Sequence, residues 1–160
     1  YGPIYYDIGM SLIDELKTTL NRDIENLGYL LWGIEVSGNH STKHIRIFID
    51  NEDSSITLED CTKVNVQARE VLENSETFNF DYSLEISSPG IDRTFFDLNQ
   101  LQDYLEEIIQ IKFETDSQKQ TVTGKLLSIS SDYIEIENKN ENIIKIKTSS
   151  YQTSKLIYKV

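Results

Sequence analysis

The sequence predicts an α+β chain in two parts: an N-terminal αββαβ domain, whose three-stranded sheet carries two helices on one face, followed by a small β-barrel. Three observations carry this. Two stretches place apolar residues every three or four positions, the period of a helix with one buried stripe. Three others, all before Pro89-Gly90, alternate apolar and polar residues as half-buried strands do. Beyond that dipeptide come four or five short alternating runs joined by brief polar connections.

Ile8, Leu12, Leu16, Leu20, Ile24 and Leu27 form the first helical stripe, and Gly28 supplies the stop. Leu30, Trp32, Ile34 and Val36 then alternate with Leu31, Gly33, Glu35 and Ser37 in a first strand. Gly38-Asn39-His40-Ser41 is turn material, so Ile45, Ile47 and Ile49 should return antiparallel, with His44, Arg46 and Phe48 on the other face. Thr57-Leu58-Glu59-Asp60 reads as a capping box with Asp in place of Glu, opening a helix whose inner face holds Cys61, Val64, Ala68, Val71 and Leu72. Tyr82, Leu84 and Ile86 make the third strand. Neither helix nor sheet can bury its apolar side alone, so both helices should cover one face of the sheet.

Pro89 fixes its own φ and holds Ser88 extended, while Gly90 offers the positive φ that a type II turn needs. This places a first domain at 8–90, a hinge at 91–97 and a second domain at 98–160. Asp97 with Gln100 reads as a helix start, with Leu98, Leu101 and Leu105 inward. The strands after it are marked by Ile109, Ile111 and Phe113; by Val122, Leu127 and Ile129; by Tyr133, Ile134 and Ile136; by Ile144 and Ile146; and by Leu156, Tyr158 and Val160. Gly124 inside the long second run predicts a bend or bulge. A curled sheet of this size is most economically a barrel of the SH3 or Sm type, since closure removes exposed edges.

Composition is that of a globular chain, 38% hydrophobic and 26% charged, with no apolar run long enough to cross a bilayer. A cytoplasmic location is the expectation. The chain does not open on Met, and the segment Tyr1 to Tyr6 is set aside from the fold argument. Net charge is −12, unevenly spread: residues 1–90 hold 6 Lys/Arg against 16 Asp/Glu, whereas 91–160 hold 9 against 11. The acidic first part repels phosphate and attracts basic protein.

Catalytic groupings are thin. Ser87 or Ser88, His44 and Asp92 can be strung into a triad on paper, but no serine sits on a nucleophile elbow. His40 and His44 are four apart on a turn and a strand, not on one helix face, so no metal pair is expected. Neither phosphate-cradling glycine motif occurs, and no cofactor is expected. Cys61 reads as a small buried hydrophobe whose acidic neighbours raise its pKa. The αββαβ order is that of a KH-like module, yet the Gly-x-x-Gly clamp is missing. In the second part Lys112, Lys119, Lys125, Lys139, Lys145, Lys147, Lys155 and Lys159, with Tyr133, Tyr151 and Tyr158, could track RNA. Lys125, Lys145 and Lys147 are the chosen candidates for RNA or protein contact.

The decapeptide Leu84-Glu85-Ile86-Ser87-Ser88-Pro89-Gly90-Ile91-Asp92-Arg93 resembles the signature of the bacterial ribosome maturation factor RimP family, in which a strand runs into Ser-Pro-Gly-x-Asp-Arg. The element order resembles that family from about Ile8 to Val160. One departure is Thr94, where the family pattern carries proline. The resemblance implies the same two folds and a non-enzymatic factor that binds the immature small ribosomal subunit, including the basic ribosomal protein near the decoding centre. It makes Ser88, Pro89, Gly90, Asp92 and Arg93 candidates for a hinge or partner contact. A monomer is the default expectation, and a general RNA-binding module of the KH or Sm type is the alternative.

Overall fold

A computed structural model describes residues 8–52 and 54–158, and their side chains from Leu12 onward. The segment Tyr1 to Tyr6, Lys159 and Val160 lie outside the described residues. The chain forms two compact units that divide between Pro89 and Gly90.

The first unit runs α1 (Ile8–Asn26), β1 (Leu30–Gly38), β2 (Thr42–Asp50), α2 (Leu58–Glu73) and β3 (Asp81–Ser87). Its sheet has the order β1-β2-β3, with β1 and β2 antiparallel and β2 and β3 parallel. Leu16, Leu20 and Ile24 of α1 and Val64, Ala68 and Leu72 of α2 pack with Ile34, Ile45, Ile47, Ile49 and Leu84 in one core. At roughly 1.5–3 kcal/mol per fully buried large aliphatic side chain, this face is the main source of the unit's stability.

Several positions differ from the sequence reading. Leu27 is 39% exposed because α1 closes at Asn26, where Gly28 N–H donates to Glu25 O and Tyr29 N–H to Ile24 O, and Tyr29 goes inward in its place. In β1 a bulge between Leu31 and Gly33 resets the pleat, so Leu31 packs on the core while Leu30 is 47% exposed. Cys61 is half-buried in the first turn of α2, outside the core; desolvation first, then the charge of Asp60, raises its thiol pKa. Phe78, buried, and Phe80, partly buried, pack from the loop before β3, in an edge-to-face series with Tyr82.

The capping box forms as read. Asp60 N–H donates to Thr57 Oγ1 at 3.1 Å and Thr57 N–H to Asp60 Oδ2 at 2.8 Å. Replacing Thr57 with alanine should cost about 1 kcal/mol in chemical denaturation. The Tyr29 hydroxyl also donates to Asp60, tying the end of α1 to the start of α2. That bond, then burial and the Asp60 charge, pushes the phenol up to about 12. Because the folded pKa lies above the ordinary value of 10.0, this stabilisation is whole below pH 10 and drains away as pH rises toward 12. The alkaline limb of a stability profile should therefore be shallower in Tyr29→Phe than in the parent.

The second unit contains β4 (Thr94–Phe95), α3 (Leu98–Leu101), a 3₁₀ turn (Gln102–Tyr104), β5 (Ile108–Thr115), β6 (Gln118–Ile129), β7 (Tyr133–Glu137), β8 (Ile143–Lys147), a second 3₁₀ turn (Thr148–Ser150) and β9 (Tyr151–Leu156). They build a six-stranded antiparallel sheet of order β4-β9-β5-β6-β7-β8. No described pairing joins β4 to β8, so the ladder is an open one. Ile109, Ile111, Phe113, Leu126, Ile134, Ile136 and Ile146 are buried, with Phe95 and Leu101.

Here too the details depart from the pattern. Thr94 and Phe95, read as hinge, pair with β9. The helix after Asp97 is a single turn capped by the Asp97 side chain, and Leu105 is 43% exposed because the backbone has already left the helix. A bulge between Leu126 and Ser128 turns Leu126, not Leu127, fully inward. The last strand lies earlier than read, at Tyr151–Leu156, and Tyr158 is exposed. Its inward residue Ser154 is polar and buried, satisfied by the Tyr151 hydroxyl at 2.6 Å.

Candidate functional site

The stretch from β3 into the second unit is built from strand, turn and edge strand. β3 ends at Ser87, and Gly90 takes φ +83, a value that a side chain would strain. The turn itself falls over Ile91 and Asp92, two residues later than a type II turn centred on Pro89-Gly90. Ser88 and Asp92 are exposed, and Ile91 is 66% exposed. The Arg93 guanidinium lies over the Tyr104 ring, 5.9 Å from its centroid, and Arg93 O accepts from Leu156 N–H. Tyr104 in turn meets Phe95 edge-on at 4.8 Å. Arg93 is thus anchored within the second unit, while Ile91 and Asp92 line an open groove with Lys155, Leu156, Ile157 and Tyr158. Thr94 begins an edge strand, a position that accepts proline as readily as threonine.

The sheet face of the first unit opposite the helices gathers a polar network that no local pattern announces. Parallel register sets His44 beside Ser83 and Arg46 beside Glu85, while Glu35 faces Arg46 from β1. Arg46 reaches Glu85 through Nε and Nη2, both at 3.3 Å, and Glu35 at 3.8 Å. Ser87 donates to Glu85 at 3.2 Å. Desolvation pulls the Glu85 pKa up, but the Arg46 charge and the hydrogen bonds of Arg46, Ser87 and His44 outweigh it and hold the carboxyl below its usual range.

His44 Nδ1 lies 2.5 Å from Ser83 Oγ and Nε2 lies 3.5 Å from Glu85. These three resemble a Ser-His-Glu line, a grouping different from the one written from sequence. The setting does not suit acyl transfer: His44 and Glu85 are nearly half exposed, and Ser83 sits in mid-strand with its partner strand alongside, not at a turn presenting oxyanion donors. His40 stands in the exposed β1–β2 turn, and among the described residues no three His, Cys, Asp or Glu converge to hold a metal.

Two of the three chosen lysines are locally engaged. Lys125 pairs with Glu106 at 3.6 Å. Lys145 lies 5.4 Å from the Tyr133 ring centroid and opposite Glu135. Lys147 is exposed opposite Tyr133. The pattern of β7 and β8 is therefore a mixed ladder of acid and base.

Residues 19–92 match the family model described as the RimP N-terminal domain. This match, over 74 of the chain's 160 residues, supports membership of the RimP family. The RimP match begins inside α1, takes in β1, β2, α2 and β3, and ends at Asp92. It therefore contains the whole polar sheet face and the Ser88-Pro89-Gly90-Ile91-Asp92 turn, and stops before Arg93. RimP proteins are ribosome maturation factors, a family of assembly factors and not of known enzymes.

Proposed function

We propose that this chain binds the immature small ribosomal subunit and assists its assembly, acting as a monomer in the cytoplasm and making or breaking no covalent bond. The observation that carries this reading is the family match over 19–92, laid on a complete helix-covered sheet and the turn that follows it. Charge gives it physical sense. With 16 acidic against 6 basic residues in 1–90, the first unit is suited to mask the cationic part of the basic ribosomal protein near the decoding centre until rRNA displaces it.

In the second unit the proposed form is an SH3- or Sm-like barrel. Support comes from β6, whose residues 118–125 pair with β5 and 125–129 with β7, so that one strand serves two neighbours and passes from one to the other near Lys125. Bulges in the β5–β9 and β6–β7 ladders add curl. The general RNA-binding alternative gains nothing from the acidic first unit.

Sucrose-gradient sedimentation of a cell extract tests the reading. The chain should travel with small-subunit precursors, and cells lacking it should accumulate them. A chain that stays at the top of the gradient, with precursor levels unchanged by its loss, would overturn the proposal. Its affinity for the purified basic decoding-region protein should also fall steeply as ionic strength rises.

A further inference from the structure

Strand register sets seven outward residues of the second unit in two rows. One runs Thr94, Lys155, Gln110, Thr123 across β4, β9, β5 and β6; the next runs Thr153, Lys112, Thr121. The alternate residues Ile109, Ile111 and Ser154 are buried, so these side chains form the sheet's outer surface, with Lys112, Thr121, Thr123 and Lys155 exposed. Neither row contains a carboxylate. Lys112 and Lys155 make no ion pair among the described residues, unlike Lys125 on Glu106. Thr94, Gln110, Lys112, Thr153 and Lys155 line a shallow hollow of about 130 Å³.

We infer that this outer face of β9, β5 and β6 grips the sugar-phosphate backbone of an RNA strand, with Lys112 and Lys155 on phosphates and the threonine hydroxyls and Gln110 amide on phosphate and ribose oxygens. The inference rests on the assembly reading for its biological partner, and deepens it by naming where RNA is held. On a chain of net charge −12, two rows without a carboxylate, bordered by Asp92 at Lys155 and by Glu114 opposite Lys119, and carrying two ammonium groups that make no ion pair among the described residues, are where a polyanion can approach. The two lysines are diagonal neighbours on adjacent strands, about 7–8 Å apart, comparable with successive phosphates. Hydroxyl and amide groups both donate and accept, as a ribose 2′-OH requires. No apolar pocket or stacking ring interrupts the rows, so contact is to backbone and indifferent to base sequence. An acidic peptide would leave its own apolar side chains unmatched here.

The experiment uses the full chain and a short labelled single-stranded RNA of mixed sequence, read by fluorescence anisotropy across a salt series. Lys112→Ala with Lys155→Ala should weaken binding about tenfold and make the slope of log K against log salt shallower by about 1.4, the value for two phosphate contacts on a single strand. Lys63→Ala with Lys139→Ala, neither of them on this face, removes the same charge and should leave affinity within about twofold. Both pairs are exposed, and thermal melts should match the parent. Equal loss in the two pairs, no loss in the first, or binding of polyglutamate that depends on Lys112 and Lys155 when RNA binding does not, would each overturn the assignment. Unaltered RNA affinity in the first pair, while the parent still enters precursor fractions, removes this face and leaves the assembly reading standing. A parent that never enters those fractions removes the assembly reading, while the RNA result continues to judge the face.

Discussion

Gly124→Ala should destabilise the second unit by at least about 3 kcal/mol and lower its melting temperature by about 12–24 °C. Gly124 lies where β6 passes from β5 to β7, and the backbone of β7 runs directly over it. A Cβ there would fall against Glu137 O, within 2.6 Å of Ile136 Cγ2 and 2.9 Å of Glu137 C. The isoleucine methyl could be trimmed, but the Glu137 main chain cannot withdraw without breaking the β6–β7 ladder, so Ile136→Ala should not rescue the variant. The loss is large against a total of ~5–15 kcal/mol for a typical domain. Amide NMR of the full chain on warming separates the outcomes, with dispersed signals from 94–156 lost at a lower temperature than in the parent and those from 30–87 retained. Parent-like behaviour of both sets would show that position 124 tolerates a side chain, and an equal lowering of both would show that the units fold as one.

The same strand shows why some of the architecture is readable in sequence and some is not. Ile45, Ile47 and Ile49 lie on an unbroken pleat, and all three are buried as their period demands. Leu30 and Leu127 obey the same period and fail, because a bulge beside each shifts the chain by one residue and exchanges its faces. Nothing in the neighbouring residue types announces those insertions. Tyr151–Leu156 went unread for a different reason: its inward position at Ser154 is polar, satisfied by Tyr151, so an apolar alternation has nothing to find. The polar network around Arg46 depends on parallel pairing across 39 residues, a property of the fold and not of either strand. Counting lysines likewise finds Lys125, Lys145 and Lys147 as readily as Lys112 and Lys155. Only register shows which stand opposite carboxylates or rings and which do not.

Pro89→Ala combined with Gly90→Ala should weaken binding to immature small subunits by about tenfold or more, with little change in the melting of the full chain. Gly90 at φ +83 has room for a methyl group, the nearest atom being Asp92 Oδ1 at 3.6 Å, so the cost is conformational and not steric. An L-residue there prefers negative φ and would redirect the backbone, while loss of Pro89 frees the φ that the ring had set. Neither residue belongs to a strand or to the core. A particle large enough to engage both units rewards them jointly only when the connection holds a compatible span, since effective concentration collapses once the joint wanders. Co-sedimentation of the full-length double variant with purified precursor particles measures this directly. Undiminished binding would mean that one unit carries the affinity alone and that the turn between them serves only to end β3.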